Sequence, residues 1–253
     1  MNIIPNYLRL EKHVFVQEAF QDACPIHQKT CVPGTDSKVN APYKRSLYEN
    51  EFYIIHVGHA LAHLLIACQQ LSHAPLYLSS FCPSKKMVAA GVTRHSHILF
   101  CIENYIIRVR SLHDKALQLI NAVFRLYNPP DKVTHALIKN NLHVSNTKVP
   151  SALQKLKKIT GKYHEDRNKI IHRECFQEDD LRFIELLTIS KDKASGSAKD
   201  LKFHTTVYIR EKEQELLKNN SEVFDSISNI FDLLLQQYTK QKVNDMKIFR
   251  HVT

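Results

Sequence analysis

Glycine is scarce in this chain, with only five among 253 residues. Two phosphate-binding signatures are missing: the Gly-x-Gly-x-x-Gly of dinucleotide-binding folds and the Gly-x-x-x-x-Gly-Lys of P-loop proteins. Both signatures need glycine because the backbone must approach the phosphates closely. The sequence therefore argues against enzymes that use these nucleotide-binding loops.

Cysteine patterns typical of metal or disulfide frameworks are also lacking. The six cysteines contain no Cys-x-x-Cys pair, and the N-terminus has no apolar signal-peptide core. These two features predict a cytoplasmic protein in a reducing compartment. Cys24 and Cys31, with His27 between them, leave a zinc site open as an alternative.

Charged residues are absent between Phe52 and Ser84, and residues 53–68 are largely apolar. We expect a buried core helix over about residues 45–71 and no membrane association. The apolar part is shorter than the roughly 20 residues that span a bilayer, and three histidines interrupt it. Those histidines are His56, His59 and His63, and they fall on one helical face. They leave open the alternative that the chain is a metal-dependent enzyme that uses them as ligands.

Helical periodicity dominates the rest of the chain and predicts an all-α fold. We expect an N-terminal helical layer over residues 1–90, packed on a helical domain over residues 91–250. A long helix should run from Arg94 to Tyr127, and another from about Ser151 to Cys175. Alternating apolar residues also make a small β-hairpin plausible near residues 182–210, with two short helices as the alternative.

Polar chemistry is most concentrated in residues 163–174, within the second of these helices. His164, Asn168 and His172 are spaced four residues apart, so one helical face presents two imidazoles with an amide between them. Arg167 lies roughly 140° round the helix from His172, but its long side chain can still curl toward the same cleft. The geometry favours a site that another helix or another subunit completes.

Arg167 and His172 are separated by four residues, with Asn168 directly after the arginine. This pattern resembles the signature of the HEPN superfamily, over about residues 90–250. The resemblance implies an antiparallel helical bundle and a metal-independent, cofactor-free ribonuclease site shared across a homodimer. It also implies toxin or defence roles, with an antitoxin-like protein partner possible. Neighbouring polar residues would then support the site: Glu103, Arg110, Asp114 and His164.

RNA carries its own nucleophile, the 2′-hydroxyl, so a ribonuclease needs only proton transfer and stabilisation of phosphate charge. A histidine can exchange a proton near neutral pH, which suits His172. Arginine stays charged and offers a planar fork to phosphate oxygens, which suits Arg167. Asn168 would orient the reacting groups. Cleavage should leave a 2′,3′-cyclic phosphate.

The formal net charge is +10, which favours a polyanionic partner such as RNA. Residues 148–173 carry eight lysines or arginines against two acidic residues. Candidate RNA-binding residues are Lys155, Lys158, Lys162, Lys169 and Arg173. The same charges also fit a solvated helix surface, so a non-catalytic helical module that binds RNA or protein is the alternative function.

Overall fold

The computed structural model of the protein describes residues 7–30, 46–172, 175–190 and 197–250, and no strand occurs among them. The helices are α1 (Tyr7–Glu11), α2 (Val14–Thr30), α3 (Glu49–Ser79), α4 (Lys85–Ala89), α5 (Arg94–Val123), α6 (His135–Asn140), α7 (Leu142–Ser145), α8 (Val149–Thr160), α9 (His164–His172), α10 (Asp179–Ser190) and α11 (Ser197–Arg250). A 3₁₀ turn, Pro130–Lys132, lies between α5 and α6. The expected all-α fold is confirmed.

The chain forms two compact units, and each combines segments that are distant in sequence. The first unit consists of Met1–Cys68, Leu112–Lys157 and Phe224–Thr253. The second unit consists of Gln69–Ser111 and Lys158–Val223, and it contains the whole of α9. The proposed division at residue 90 stays a prediction.

Aromatic side chains form the centre of the first unit. Phe15 on α2 packs against Phe231 and Tyr238 on α11, with ring centroids 5.6 and 5.8 Å apart. Tyr53 on α3 stacks on Tyr238 at 5.9 Å. All four rings are almost completely buried. Burial of aromatic surface on this scale is the main stabilising contribution that such a helical unit can make.

The long apolar helix α3 buries residues at helical spacing, among them Val57, Leu61, Leu64 and Cys68. By length and composition alone, it is the one described helix that could cross a membrane, but half of its most apolar 18-residue window is buried inside the protein. A core helix of a soluble protein has the same properties. At Gly58, an added Cβ would lie only 2.9 Å from Cβ of Ala23, so glycine lets α2 approach α3 closely.

A buried hydrogen-bond network joins three helices of the second unit. The Tyr105 hydroxyl on α5 donates to Oδ1 of Asn220 on α11 at 3.0 Å, and Asn219 Nδ2 donates to that hydroxyl at 2.6 Å. Asn220 Nδ2 in turn donates to the Leu71 carbonyl oxygen on α3 at 2.9 Å. Because buried polar groups are costly when unpaired, these bonds fix the relative register of the three helices.

The β-hairpin suggested for residues 182–210 is wrong, because α10 and the beginning of α11 occupy this region. In residues 201–210 of α11, the buried positions are Thr205, Tyr208 and Ile209, which have helical spacing. Phe203, which belongs to the alternating pattern, is exposed. The alternating residues thus lie partly in the core and partly on the surface of the helix, so the alternation did not report a buried strand face.

The helix expected over residues 151–175 is divided into α8 and α9 by a turn at residues 161–163. The break falls at Gly161, and glycine has a low helix propensity. Two backbone bonds close the turn, from Lys162 N to Ile159 O at 3.2 Å and from His164 N to Gly161 O at 3.0 Å. As a result, α9 is a separate short helix.

Candidate active site

Helix α9 carries the Arg167-to-His172 motif and begins and ends within nine residues. Its first turn contains Glu165 and Asp166, and its last turn contains Lys169 and His172. This charge order complements the helix dipole. A helix this short is marginal by itself, so contacts with the rest of the second unit must hold it in place.

Glu215 on α11 holds the start of α9. Its Oε1 accepts hydrogen bonds from the Tyr163 hydroxyl at 2.7 Å and from Lys162 Nζ at 2.9 Å, and its Oε2 accepts one from Lys212 Nζ at 2.8 Å. Burial alone would raise the pKa of Glu215. The bonds from Lys212, Lys162 and Tyr163 outweigh burial and lower that pKa to about 2. Glu215 therefore stays ionised and anchors the turn that precedes the motif.

Glu178, directly before α10, also accepts hydrogen bonds from a lysine and a tyrosine. Lys212 Nζ donates to Glu178 Oε1 at 2.9 Å, and the Tyr208 hydroxyl donates to Oε2 at 2.6 Å. Burial and this hydrogen bond raise the pKa of Tyr208. Lys212 thus bridges two carboxylates, and α11 fixes the chain on both sides of α9.

Glu103 on α5 contacts the segment that follows α9. Its Oε1 accepts a hydrogen bond from the backbone N–H of Phe176 at 2.9 Å. Arg110 and Asp114 are the two other residues of this helix that were expected to support the site. Arg110 is half-buried in the second unit, whereas Asp114 belongs to the first unit and lies 3.5 Å from Nδ1 of His113.

Asn168 connects Arg167 to His164. Arg167 Nη1 donates to Oδ1 of Asn168 at 3.3 Å, so the amide nitrogen of Asn168 faces Nε2 of His164, 3.2 Å away. Because an amide nitrogen can only donate, Nε2 of His164 must accept, and the His164 proton resides on Nδ1. The amide thus fixes the tautomer of one imidazole and the direction of the guanidinium.

His172 is exposed and lines an open cleft of about 540 Å³ together with Glu165, Asn168 and Lys169. These four residues share one face of α9, so a single helix forms the described lining of the cleft. Arg167 is half-buried and does not line it; its Nε is buried and has no hydrogen-bond partner among the described residues. The structure therefore places His172 and Asn168 at the cleft and connects Arg167 to it through Asn168.

Comparison with known families identifies the fold to which this site belongs. The family model described as Cthe2314-like HEPN matches residues 53–235. The chain belongs to this HEPN family. The match confirms the resemblance drawn from the Arg167-to-His172 pattern, and it extends from α3 into α11. No curated protein and no solved structure matches the chain.

The lysines predicted to bind RNA differ in their surroundings in this HEPN protein. Lys155 and Lys158 on α8 and Lys169 on α9 are exposed. Lys162 is engaged by Glu215 and lies 5.0 Å from the Tyr163 ring centroid. Arg173 lies outside the described residues.

The histidines considered for metal binding pack against aromatic rings. His56 stacks on Phe52 with ring centroids 5.7 Å apart, and His59 meets the His27 ring edge-on at 5.9 Å. Within the described ranges, no three His, Cys, Asp or Glu residues are grouped as a metal ion requires. Cys31, the third member of the other zinc alternative, lies outside the described residues.

Sequence reasoning missed the carboxylates that hold the motif in place, Glu215 and Glu178. The three-residue spacing of Lys212 and Glu215 was visible and is typical of a helical ion pair. Their partners before α9 and α10 lie about thirty to fifty residues away in sequence, so spacing could not reveal them.

Proposed function

We propose that this HEPN protein is a metal-independent endoribonuclease whose site is formed by Arg167, Asn168 and His172. The observation that carries the proposal is the motif itself, displayed on α9 of a HEPN chain with His172 exposed at an open cleft beside Asn168. An exposed imidazole next to a fixed amide and a guanidinium supplies the groups that RNA cleavage needs.

The reaction follows from these groups. His172 accepts the proton of the 2′-hydroxyl while the hydroxyl oxygen attacks the adjacent phosphorus. The bond from phosphorus to the 5′-oxygen breaks, and the leaving 5′-oxygen takes up a proton from water. Arg167 donates to the phosphate oxygens and stabilises the charge that develops on them. Asn168 holds the guanidinium beside the cleft, and the guanidinium must turn from this half-buried position to reach the phosphate. The products are a 2′,3′-cyclic phosphate and a 5′-hydroxyl end.

A homodimer would complete the site. The described lining of the cleft comes from one face of α9, and a second copy would supply an opposite wall and a second motif. The exposed lysines near the motif fit RNA, and in a toxin or defence system an acidic antitoxin-like protein could cover them. The expected compartment is the cytoplasm.

Cleavage of mixed RNA by the purified protein in EDTA tests the activity. We expect the parent to generate cyclic phosphate ends, detected by mass spectrometry, and Arg167→Ala and His172→Ala each to lower the rate by about 100-fold or more. His143→Ala and Arg182→Ala, which change exposed residues away from α9, are the matched controls. Intact RNA after incubation with folded, dimeric parent protein would exclude the nuclease.

Mixing the two inactive variants tests the shared site. If one cleft contains motifs from both subunits, a heterodimer of Arg167→Ala and His172→Ala keeps one arginine and one histidine and should regain part of the activity. Light scattering after chromatography measures the mass in parallel. No recovery in a mixture shown to contain heterodimers would contradict a site that combines both motifs.

A non-catalytic RNA- or protein-binding module is the second candidate. The half-buried position of Arg167 and its engagement by Asn168 favour it, because a guanidinium that stays in this arrangement does not reach a phosphate in the cleft. RNA binding without cleavage, equal in the parent and in His172→Ala, would identify this function.

A further inference from the structure

A second cavity, of about 390 Å³, lies within the second unit between facing stretches of α3 and α5. We call it the α3–α5 groove; its lining includes Gln70, Tyr77, His97, Phe100, Asn104 and Arg108. The two helices run antiparallel here, because Gln70 contacts Arg108 while Tyr77 contacts His97. None of these residues belongs to the α9 motif.

Arg108 is held in the groove by amides. Its Nε donates to Oδ1 of Asn104 at 2.6 Å, and its Nη1 donates to Oε1 of Gln70. An amide oxygen orients a guanidinium without neutralising its charge, and arginine has more N–H donors than these two bonds use. No Asp or Glu occurs among the described residues that line the groove. The groove therefore presents an oriented positive charge that suits an anion such as phosphate.

Two aromatic side chains border the same groove and remain open to solvent. Phe100 is 65% exposed and Tyr77 is 60% exposed. The His73 ring makes a T-shaped contact with Tyr77, with ring centroids 6.0 Å apart. Exposed aromatic rings beside a cation form the platform on which unpaired bases stack in proteins that bind single strands.

The Cys101 and His97 side chains of the groove do not suit covalent chemistry, so the groove suits ligand binding. Its thiol, Cys101, has a pKa that burial raises, so it stays protonated. Nε2 of His97 lies 3.5 Å from Cys101 Sγ, but it donates to the Tyr77 carbonyl oxygen at 2.8 Å and cannot accept the thiol proton.

We propose that the α3–α5 groove binds an unpaired nucleotide, with the base stacked on Phe100 or Tyr77 and the phosphate on Arg108. The identity of the ligand as part of an RNA strand rests on the proposed function, whereas nucleotide binding itself does not. In the nuclease, this contact would hold single-stranded RNA at a second point outside the α9 cleft.

The test is the binding of a fluorescein-labelled ten-nucleotide RNA, measured by anisotropy in EDTA with His172→Ala protein so that nothing is cleaved. The groove variants are Phe100→Ala and Arg108→Gln. Phe203→Ala is the matched aromatic control because Phe203 is also 65% exposed, and Arg182→Gln is the matched cation control. Circular dichroism establishes that all four variants fold.

We expect each groove variant to weaken single-strand binding about tenfold, and neither control to do so. Arg108→Gln should also reduce the dependence of log affinity on log salt by about 0.7, which corresponds to one phosphate contact, whereas Phe100→Ala should leave it unchanged. Duplex RNA of the same sequence should bind more weakly, because paired bases cannot stack on the rings.

Parent-like affinity in both folded groove variants would overturn the inference, even if the parent cleaves RNA. If the variants lose affinity while the parent cleaves nothing, the nuclease fails and the groove stands. Competition with adenosine monophosphate distinguishes an RNA strand from a free nucleotide as the ligand of the groove. Displacement at micromolar concentration, lost in the same variants, would identify a free nucleotide as the occupant.

Discussion

The side-chain amide of Asn168 contacts two neighbours. Its oxygen accepts a hydrogen bond from Arg167, and its nitrogen faces His164. The i,i+4 spacing of His164 and Asn168 made this contact predictable from the sequence. The position of Arg167 was not predictable to the same degree, because the rotamer of a long side chain depends on tertiary packing. The sequence therefore identified the motif, but not the chain of contacts that runs from Arg167 through Asn168 to His164.

Replacing Asn168 should affect activity by releasing Arg167. We expect Asn168→Leu, which keeps the size of the side chain but removes both hydrogen bonds, to lower kcat about tenfold with little change in KM. His164→Ala should have a smaller effect, because Arg167 keeps its partner. Steady-state cleavage of a defined RNA measures both constants. If Asn168→Leu has the same kcat as the parent, Asn168 does not position the arginine.

At the scale of elements, α9 depends on a carboxylate located on another helix. Glu215 contacts the two residues that precede α9, and Lys212 extends the network to Glu178 before α10. From local propensities, the sequence predicted one helix over residues 151–175, where α8 and α9 lie. It could not predict which residue of α11 would hold them, since that depends on how distant segments pack.

Glu215→Gln should destabilise the protein by about 1–3 kcal/mol at neutral pH, because an ionised acceptor of three hydrogen bonds is replaced by a neutral amide. The folded-state pKa of about 2 lies below the ordinary value of 4.5. The stabilisation from this carboxylate is therefore complete above about pH 4.5 and is lost as the pH falls toward 2. Urea denaturation at pH 7 and pH 3 measures the difference between parent and variant.

Lys218→Gln, an exposed change on the same helix, is the control for that comparison. The difference between parent and Glu215→Gln should be smaller at pH 3 than at pH 7. An equal difference at both values would mean that the ionised form of Glu215 does not stabilise the network.

At the scale of the whole molecule, half-buried histidines predict how stability depends on pH. Burial lowers the pKa of His56 and of His135; nearby Lys157 and His113 contribute further to the shift of His135. Both groups are harder to protonate in the folded chain than in the unfolded chain. Their contribution to stability is therefore complete above about pH 6.5 and is lost as the pH falls through their lower folded-state pKa values.

We expect a lower melting temperature at pH 5.5 than at pH 7.5, a range that lies above the Glu215 transition. Thermal unfolding followed by circular dichroism measures it. The double variant His56→Gln with His135→Gln should show a smaller difference between the two pH values, whereas the exposed substitution His143→Gln should not. An unchanged difference in the double variant would assign the pH dependence to other groups.

The all-α architecture was predictable because helical periodicity is a local property, and the same reasoning identified α3, α5 and the motif region. The error at residues 182–210 came from reading a chance alternation of apolar and polar residues, which lie on two helices, as a strand. The interleaving of the two units was not predictable, since it depends on contacts between segments that are far apart in sequence.

That interleaving has a consequence for synthesis. Four helices, α3, α5, α8 and α11, each contribute residues to both units. A ribosome releases the chain from its N-terminus, so the first unit cannot close until the segment from Phe224 onward has emerged, although its opening helices appear first. The network that anchors α9 likewise awaits Glu215. The motif on α9 therefore cannot be positioned until synthesis has passed Glu215. If the chain is the proposed nuclease, this delay would spare the messenger being translated.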